Sequence, residues 1–451
     1  MKERYFLYRS AVVASLAGFL FGFDTVVISG AEQSIQALWQ LSDGMHGVAV
    51  SMALWGTVLG ALLGGWPSER FGRKRTLLWI GVLYLVSAVG SALAPEIFSF
   101  MFFRFVGGIG VGVSTVAAPM YISEIAPPNF RGRLTGMFQF NIVFGILMAF
   151  FSNSLIRGSG DNDWRWMLAV MAFPALIYAL FCIGLPESPR WLIIHRRNRA
   201  AGLGVLKKVN PGLPTTELER LADEIEASGN VPDNARRGKG VSRSPRLLKP
   251  LFLAFFIAFF NQWSGINAIL YYAPRIFEMT GLATRAALLQ SVGIGITNLI
   301  FTFVGLWLID RLGRRTLLLI GSFGYILSLG LTAWAFATGR FAIVPVCIFA
   351  FIAAHAIGQG AVIWVFISEI FPNRQRAAGQ AFGSFTHWFF AAVITLLFPV
   401  MAGALQPQMI FGLFCGMMIL QLLWVLFFVP ETKGISLEKM ENKLHGESIS
   451  L

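Results

Sequence analysis

Residues 121–127 read YISEIAP, and residues 366–372 read FISEIFP, 245 positions later in the chain. A second word is repeated at nearly the same distance, because ERFGRK at residues 69–74 returns as DRLGRR at residues 310–315, 241 positions later. Two such repeats, each spaced by about half the length of the chain, indicate an internal duplication.

A third pair of words fixes the register of this duplication. PES at residues 186–188 returns as PET at residues 430–432, 244 positions later. The segments between the repeated words are almost entirely apolar. Paired halves built of membrane helices are typical of secondary transporters, in which the substrate site lies where the halves meet.

The composition places the chain in a membrane. Hydrophobic residues make up 56% of the 451 residues and charged residues only 13%, which is too apolar for a soluble chain of this size. The stretches long enough to cross a bilayer lie near residues 8–30, 46–67, 76–95, 97–123, 132–154 and 165–185, and near 249–274, 286–308, 316–338, 341–368, 377–402 and 406–429. The predicted fold is an all-α membrane protein with twelve transmembrane helices in two pseudo-symmetric six-helix halves.

These spans divide the chain into four predicted parts. They are an N-terminal six-helix half at residues 1–186, a linker at 187–248, a C-terminal six-helix half at 249–430 and a tail at 431–451. The linker is polar and charged, and helical patterns such as residues 217–227 predict a few short amphipathic helices within it.

The net charge of +13 could indicate a nucleic-acid partner, but the basic residues are distributed unequally between the two sides of the membrane. If both termini are cytoplasmic, 30 of the 36 Lys and Arg residues lie on the cytoplasmic side. The opposite side receives Arg157, Arg165, Arg275, Arg285 and Arg340, and Arg104 lies inside a span. This asymmetry follows the positive-inside rule. It predicts a multi-pass protein of the plasma membrane with both termini in the cytoplasm, and it removes the need for a nucleic-acid partner.

The sequence offers little for metal or catalytic chemistry. Cys182, Cys347 and Cys415 all lie in apolar spans without metal-ligand spacing, so neither a zinc site nor a disulfide framework is expected. The glycine-rich residues 107–112 resemble a nucleotide-binding fingerprint, but no strand precedes them, and small residues inside a membrane helix serve close packing. We therefore expect no cofactor, no metal, no catalytic residues and no enzyme activity. The first apolar run lacks a cleavage site and is expected to remain as the first helix.

Two formal charges lie well inside the predicted spans, Asp24 in the first and Arg104 in the fourth. An isolated charge in a membrane helix costs roughly 2.5 to 3.5 kcal/mol even on the lenient insertion scale, so we expect the two to pair. Burial and a neighbouring guanidinium act on a carboxylate in opposite directions. Asp24 is therefore a candidate for binding and releasing a proton during a transport cycle; the alternative is a permanent structural ion pair.

The seventh span carries a run of amides, Asn261, Gln262 and Asn267, around Gly265. Amides suit a sugar because each offers donors and acceptors to hydroxyl groups without a charge that must be dehydrated. Gly265 is expected to loosen the helix, as the discontinuous helices of transporters require.

The cytoplasmic words at residues 72–74, 313–315, 186–190 and 430–434 together resemble the sugar porter family of the major facilitator superfamily. The resemblance runs from about residue 11 to residue 434. It implies the major facilitator fold and, with an aspartate at position 24, proton-coupled transport in which Asp24 and Arg104 take part. Facilitative glucose carriers of the family have asparagine at that position.

The resemblance also implies a substrate site. Its members would be Gln139, Asn261, Gln262, Asn267, Asn298, Trp364, His387 and Trp388. The chain departs from the family pattern at Asn261, which replaces a glutamine, and at His387, where the fructose-type facilitators also have histidine. The tenth span lacks the usual prolines, so we expect it to be less kinked.

A further set of residues is implied in gating. Aromatic residues near the site would be Phe21, Tyr271 and Tyr272; the charged residues at the cytoplasmic helix ends would be Glu69, Arg70, Arg73, Glu124, Arg131, Glu187, Arg190, Asp310, Arg311, Arg314, Glu369, Arg376 and Glu431. We expect pairs such as Glu124 with Arg131 and Glu369 with Arg376 to form in one conformation and separate in another. The alternative is that these charges only anchor the helix ends.

These observations favour a secondary active transporter that imports a hexose or pentose with a proton by alternating access. Its partners would be the sugar, the proton and the lipid bilayer, and it would be a monomer. A facilitative uniporter is the first alternative, which residue 24 discriminates. A membrane sugar sensor is the second, although such sensors carry long signalling tails and only 21 residues follow Pro430.

Overall fold

A computed structural model describes residues 5–229, 247–372, 375–435 and 440. Within these residues twelve helical segments are long and apolar enough to cross a membrane. They extend over Tyr5–Leu38, Asp43–Leu63, Arg73–Leu93, Ile97–Ile125, Gly132–Ile156, Asp163–Ile183, Leu248–Tyr271, Thr284–Leu312, Arg314–Thr338, Phe341–Ile370, Ala378–Ala404 and Pro407–Phe428. No strand occurs in the described part of the chain. The prediction of an all-α fold with twelve spans is confirmed.

Numbered in chain order, the helices before the linker are α1 (Tyr5–Leu38), α2 (Asp43–Leu63), α3 (Gly65–Phe71), α4 (Arg73–Leu93), α5 (Ile97–Ile125), α6 (Pro128–Ile156), α7 (Asp163–Ala169) and α8 (Ala172–Ile183). The linker contains α9 (Pro189–Ile194), α10 (Arg199–Val209) and α11 (Thr215–Gly229). The later helices are α12 (Leu248–Trp263), α13 (Ile266–Tyr271), α14 (Ala273–Glu278), α15 (Thr284–Leu312), α16 (Arg314–Thr338), α17 (Val344–His355), α18 (Ala361–Ile370), α19 (Arg376–Ala404) and α20 (Pro407–Phe428).

The chain forms two compact units. The first comprises the described residues of Met1–Ala31, Met52–Ser152 and Ile156–Arg236, and the second those of Glu32–Ser51, Asn153–Leu155 and Arg237–Leu451. The end of α1 and the start of α2 thus pack with the C-terminal half of the sequence. These units group residues by packing, so the predicted domain boundaries at residues 186 and 249 stay a prediction.

The duplicated Gly-Arg motifs at residues 72–73 and 313–314 form the same turn in both halves of the sequence. Gly72 separates α3 from α4 with a φ of 97°, and Gly313 separates α15 from α16 with a φ of 91°. Residues with a Cβ rarely adopt this backbone region. A Cβ at Gly72 would also overlap Glu187 Oε2, and one at Gly313 would approach Glu431 Oε2 to 2.5 Å. The sequence repeat therefore preserves a backbone conformation together with the carboxylate that packs on it.

The seventh span is broken, as the sequence predicts. α12 ends at Trp263, Gly265 adopts a left-handed conformation with a φ of 86°, and α13 begins at Ile266. A second break at Tyr272 separates α13 from α14. The polar side chains of this span therefore stand next to interrupted backbone.

The tenth span is irregular despite its missing prolines. A π-helix at Ala356–Gly360 lies between α17 and α18. Such insertions bend a helix and re-aim its side chains. The tenth span is therefore not a continuous α-helix, and its smaller kink stays a prediction.

The glycine-rich stretch of α5 packs closely against α2. A Cβ at Gly108 would overlap the Ala53 carbonyl, and one at Gly112 would overlap the Thr57 carbonyl. The glycines let the two helices approach backbone to backbone, which confirms the packing interpretation of this stretch.

The linker helices pack on one another. Ile193, Leu206, Leu218 and Ala222 form a buried cluster shared by α9, α10 and α11. Ser188 Oγ accepts from the Trp191 backbone N–H at 3.2 Å and caps α9. The predicted short helices are present in this part; the predicted linker residues 230–246 lie outside the described residues.

Candidate functional site

Asp24 on α1 and Arg104 on α5 form a buried ion pair in the first unit. Arg104 Nη1 donates to Asp24 Oδ1 at 2.7 Å, and Nη2 donates to the Asp24 backbone carbonyl at 3.2 Å. Both side chains are only 2% exposed. The pairing that the cost of isolated charges predicts therefore forms. The part of this pair in proton coupling stays a prediction.

The amides of the broken span form a chain of hydrogen bonds in the second unit. Gln262, whose side chain is fully buried, donates through Nε2 to Asn261 Oδ1 at 2.8 Å. Its Oε1 accepts from Asn267 Nδ2. Asn261 and Asn267 are 2% and 7% exposed. The break at Gly265 allows amides five residues apart to meet, so the backbone interruption and the amide chain are one feature.

His387 on α19 joins this chain. Gln262 Nε2 lies 3.3 Å from His387 Nδ1 and 3.2 Å from Nε2. An amide nitrogen only donates, so the ring nitrogen that it contacts accepts, and the imidazole is neutral. The other ring nitrogen then carries the hydrogen. The Trp364 ring of α18 lies 5.0 Å from the imidazole, centroid to centroid. The structure thus brings together Asn261, Gln262, Asn267, Trp364 and His387.

The other predicted substrate residues stand outside this hydrogen-bonded chain. Asn298 on α15 is 8% exposed and accepts from Thr302 Oγ1 at 3.5 Å. Trp388 is buried, with its ring 4.8 Å from His387. Gln139 on α6 is half-buried and belongs to the first unit. Their part in substrate binding stays a prediction.

The aromatic residues predicted to gate the site are all buried. Phe21 is 9% exposed, Tyr271 is 1% exposed and Tyr272 is 0% exposed. The Tyr272 hydroxyl donates to the Thr395 carbonyl at 2.9 Å, which joins the end of α13 to α19.

A cluster of charges at the helix ends of the first unit joins three of the repeated words. Arg73 donates to Glu124 twice, from Nη2 to Oε1 at 2.7 Å and from Nε to Oε2 at 2.9 Å. Glu187 Oε1 accepts from the backbone N–H groups of Arg73 and Lys74 at 2.8 and 3.1 Å. The carboxylate of Glu187 therefore sits on the N-terminus of α4, where the helix dipole favours negative charge.

The second unit repeats this arrangement. Arg314 donates to Glu369 from Nη2 to Oε1 at 2.8 Å and from Nε to Oε2 at 3.1 Å. Glu431 accepts from the backbone N–H groups of Arg314 and Arg315 at 2.9 and 3.0 Å. Asp310 adds a contact to Arg314 Nη1 at 3.2 Å but is 82% exposed. The duplication is thus conserved in three dimensions down to individual hydrogen bonds.

In this structure the two duplicated glutamates bond the arginines of the repeated Gly-Arg motifs. Glu369 bonds Arg314 and Thr432, and its pairing with Arg376 in another conformation stays a prediction. Glu124 bonds Arg73, and the side chain of Arg131 lies outside the described residues. The remaining predicted gating residues, Glu69, Arg70, Arg190 and Arg311, are exposed.

The equivalent carboxylates of Glu187 and Glu431 differ in acidity. The pKa of Glu187 is raised, because the effect of burial exceeds the opposite effect of the hydrogen bonds from the backbone N–H groups of Ser188, Lys74 and Arg73. Burial also acts upward on Glu431, but the backbone N–H groups of Lys433, Arg314, Arg315 and Thr432 outweigh it, and the pKa of Glu431 is lowered.

These shifts give opposite pH dependences of stability. A lowered pKa in the folded state means that Glu431 stabilises the fold above its unfolded-state pKa and loses this effect as the pH falls through its folded-state pKa. Glu187, with a raised pKa, contributes stability below its unfolded-state pKa and loses it as the pH rises through its folded-state pKa.

We therefore expect Glu431→Gln to lower the free energy of unfolding at neutral pH by about 1 kcal/mol and Glu187→Gln to lower it less. Thermal unfolding of both variants in detergent, at neutral and acidic pH, measures the difference. Equal losses at neutral pH would contradict this assignment.

One group of buried charges was not expected from the sequence. α1 continues to Leu38, eight residues beyond its predicted end, and carries a completely buried Glu32. Glu32 lies beyond the predicted first span, which ends near residue 30, and is therefore not among the candidate charges. Glu32 contacts His46 and Arg275. The signal that could have found it is the amphipathic continuation of the first helix past residue 30.

Comparisons with known proteins agree with this architecture. The model of the family described as "Sugar (and other) transporter" matches residues 10–444. The chain is 34% identical to the D-xylose-proton symporter of Escherichia coli (strain K12), covering 97% of this chain and 95% of that protein. It is also 34% identical to the arabinose-proton symporter of Bacillus subtilis (strain 168), covering 97% and 94%.

A solved structure gives the same result for the fold. The inward open conformation of the xylose transporter XylE from E. coli superposes with a TM-score of 0.85 at 32% identity, over 97% of this chain and 99% of that chain. The predicted resemblance and the major facilitator fold are confirmed.

Proposed function

The chain belongs to the sugar (and other) transporter family, and we propose that it imports a monosaccharide together with a proton by alternating access. The observation that carries the proton-coupled part is the buried Asp24–Arg104 pair. The two side chains are each 2% exposed, and their charged atoms lie 2.7 Å apart. The negative charge of the Asp24 carboxylate can be neutralised either by the Arg104 guanidinium or by a proton. Protonation of Asp24 would release Arg104, and deprotonation would restore the pair, so the two states differ in how α1 is held to α5.

The sugar site in this proposal is the amide chain of α12 and α13 with His387. Its groups are buried and mutually satisfied, so an incoming hydroxyl must replace an existing hydrogen bond with one of equal quality. Gln262 is the centre because three other residues bond to its amide. Trp364 supplies an aromatic face for the apolar C–H patches of a sugar. Asn298, Trp388 and Gln139 are proposed as further contacts.

The Arg73–Glu124 and Arg314–Glu369 clusters are proposed as gating elements on the cytoplasmic side. An ion pair near the interface biases two states by on the order of 1 kcal/mol, so two clusters shift a population without locking it. The basic helix ends support the proposal that both termini lie in the cytoplasm and that the protein belongs to the plasma membrane. We propose that the protein acts as a monomer and has no enzyme activity.

The experiment that tests this function uses the purified chain in proteoliposomes. Labelled xylose, arabinose, glucose, galactose and fructose are offered with and without an imposed inward proton gradient. Accumulation above the external concentration that depends on the gradient supports symport. Equilibration without accumulation would instead support the facilitative uniporter, and binding without any uptake would support a sensor.

Substitution of His387 is expected to change sugar preference more than protein yield. The neutral imidazole of His387 presents one ring N–H beyond its bond to Gln262, whereas an amide presents both a donor and an acceptor. A site built around one hydroxyl pattern rejects another by leaving groups unpaired. His387→Asn and His387→Gln should therefore reorder the sugars in competition assays at equal membrane abundance. The same ranking in both variants and in the unmodified chain would mean that His387 does not contact the sugar.

A further inference from the structure

A three-residue charged cluster lies at the ends of α1, α2 and the short helix α14, all within the second unit. His46 Nε2 lies 2.6 Å from Glu32 Oε2. Arg275 binds the same carboxylate with its fork, from Nε to Oε1 at 3.0 Å and from Nη2 to Oε2 at 2.7 Å. The side chains of Glu32 and His46 are completely buried, and that of Arg275 is 18% exposed. We call Glu32, His46 and Arg275 the triad.

The hydrogen bonds of the triad define its charge state. Arg275 neutralises Glu32, and His46 donates its Nε2 hydrogen to the carboxylate. His46 Nδ1 is buried, and no described residue offers it a hydrogen bond. A second hydrogen on this ring would place an unpaired donor and a second cation beside Arg275, both of which are costly in a buried site. In this arrangement His46 is therefore neutral.

The polar and titratable neighbours of the triad lie on the same helices, α1, α2 and α14, and at Tyr272. Gln36 of α1 accepts from Arg275 Nη2 at 2.5 Å and donates to Asp43 Oδ1 of α2 at 3.1 Å. Glu278 of α14 accepts from Gln33 at 2.7 Å. The Tyr272 ring lies 6.3 Å from the imidazole, centroid to centroid, with its hydroxyl bonded elsewhere. The titratable neighbours are thus Asp43, Glu278 and Tyr272.

An open groove borders the triad at Arg275. Its volume is about 660 Å³, and its lining includes Gln33, Gln36, Asp43, Arg275, Glu278 and Pro399. Arg275, which is 18% exposed, is the member of the triad that lines this groove, whereas Glu32 and His46 are buried and do not line it.

We propose that the triad is a second proton-binding site, in which Arg275 and a proton on His46 are alternative partners of Glu32. While α14 is docked, Arg275 neutralises Glu32 and His46 stays neutral. When α14 moves away with Arg275, the carboxylate would remain buried without a cation, which is strongly unfavourable. His46 then takes one proton from water onto Nδ1, and the resulting imidazolium holds Glu32. No other covalent bond is made or broken; the hydrogen bonds of Arg275 to Glu32 and Gln36 break as α14 moves away, and the proton returns to water when they form again.

The consequence is that acid favours the separated state. Undocking of α14 takes up one proton, so the ratio of undocked to docked molecules rises by up to about tenfold for each pH unit that the pH falls. By the proposed topology this face is the outer one, and an acidic exterior would open it. This orientation rests on the proposed function, whereas the docking equilibrium itself does not require sugar transport.

The test measures docking directly in the full chain. Spin labels are placed on cysteines introduced at Ser42 and Ala283, both exposed, after the native cysteines are replaced by serine. Distance distributions in proteoliposomes without sugar are recorded between about pH 5.5 and about pH 8, which spans the usual histidine range. The long-distance population is expected to grow as the pH falls.

Variants assign the effect to the triad. His46→Gln keeps an N–H donor for Glu32 but cannot take up a proton, so it should remove the pH dependence. Arg275→Gln should remove it as well, because His46 is then the partner in both arrangements. Asp43→Asn and Glu278→Gln are the controls for the neighbouring carboxylates and should keep the dependence.

The proposal is overturned by a distance distribution of the unmodified chain that does not change with pH, and equally by a His46→Gln variant whose pH dependence equals that of the unmodified chain. Asp24→Asn separates this outcome from the proposed function. It should lose proton-driven accumulation and yet retain the pH dependence of the distance, whereas loss of both would attribute the pH effect to Asp24 and contradict the triad.

Discussion

Asp24→Asn is expected to abolish the accumulation of sugar against its gradient while leaving sugar exchange across the membrane close to that of the unmodified chain. Asparagine has the shape and hydrogen-bonding pattern of the protonated acid, so states in which Asp24 carries a proton remain available. The variant cannot release a proton, however, and sugar movement is no longer tied to the proton gradient. The internal sugar concentration should then stop at the external one.

Two measurements in the same proteoliposomes check this result. Gradient-driven uptake of labelled sugar should fall to equilibration, and counterflow of unlabelled against labelled sugar should persist. Asp163→Asn is a matched control, because Asp163 also pairs with an arginine, Arg157 at 3.3 Å, in the same unit. It should accumulate sugar normally. Undiminished accumulation by Asp24→Asn would remove Asp24 from coupling.

The fold could be predicted from the sequence because its determinants are local. The length and apolarity of each segment place a helix across the bilayer, and the repeated words fix which segments correspond. Gly72 and Gly313 show why those words repeat: each needs a backbone conformation that glycine tolerates, and each packs against a carboxylate from a later repeated word. The spacing of the repeated motifs in the sequence is enough to show which segments and which glycines correspond between the two halves.

Contacts within the site could be predicted only where an unpaired side chain would cost so much free energy that it must have a partner. Asp24 and Arg104 were expected to pair because neither is tolerated alone in a span, and they do. The partner of Glu369 could not be predicted in this way, since several arginines lie near the helix ends and only the packing of α16 on α18 brings Arg314 to it. The π-helix of the tenth span has no sequence signal of comparable strength.

The triad was missed for a related reason. Hydropathy ends the first span near residue 30, but α1 continues to Leu38, and Ala31, Glu32 and Ile35 of this continuation are completely buried in the protein. Glu32, His46 and Arg275 come from three elements, and the last is more than 200 positions away. The burial that makes such charges informative arises only from tertiary packing.

Gln262→Ala is expected to weaken sugar binding by roughly 1 to 3 kcal/mol, about 5-fold to 150-fold in the dissociation constant. The substitution removes one amide and leaves Asn261, Asn267 and His387 without the bonds that orient them. Part of the loss therefore comes from a missing contact to the sugar and part from partners that are no longer held in place. Isothermal titration of the purified variant with the preferred sugar measures the sum.

A buried amide elsewhere in the same unit separates affinity from stability. Gln421 is also completely buried, accepts from Gln359 at 2.9 Å and donates to Ser322 at 2.8 Å. Gln421→Ala should therefore lower the thermal stability about as much as Gln262→Ala does, because each breaks a buried amide network, but it should leave sugar affinity unchanged. If both variants lose affinity equally, the effect of Gln262 reflects a weakened fold. If Gln262→Ala binds like the unmodified chain, the amide chain of α12 and α13 is structural, and the sugar binds elsewhere.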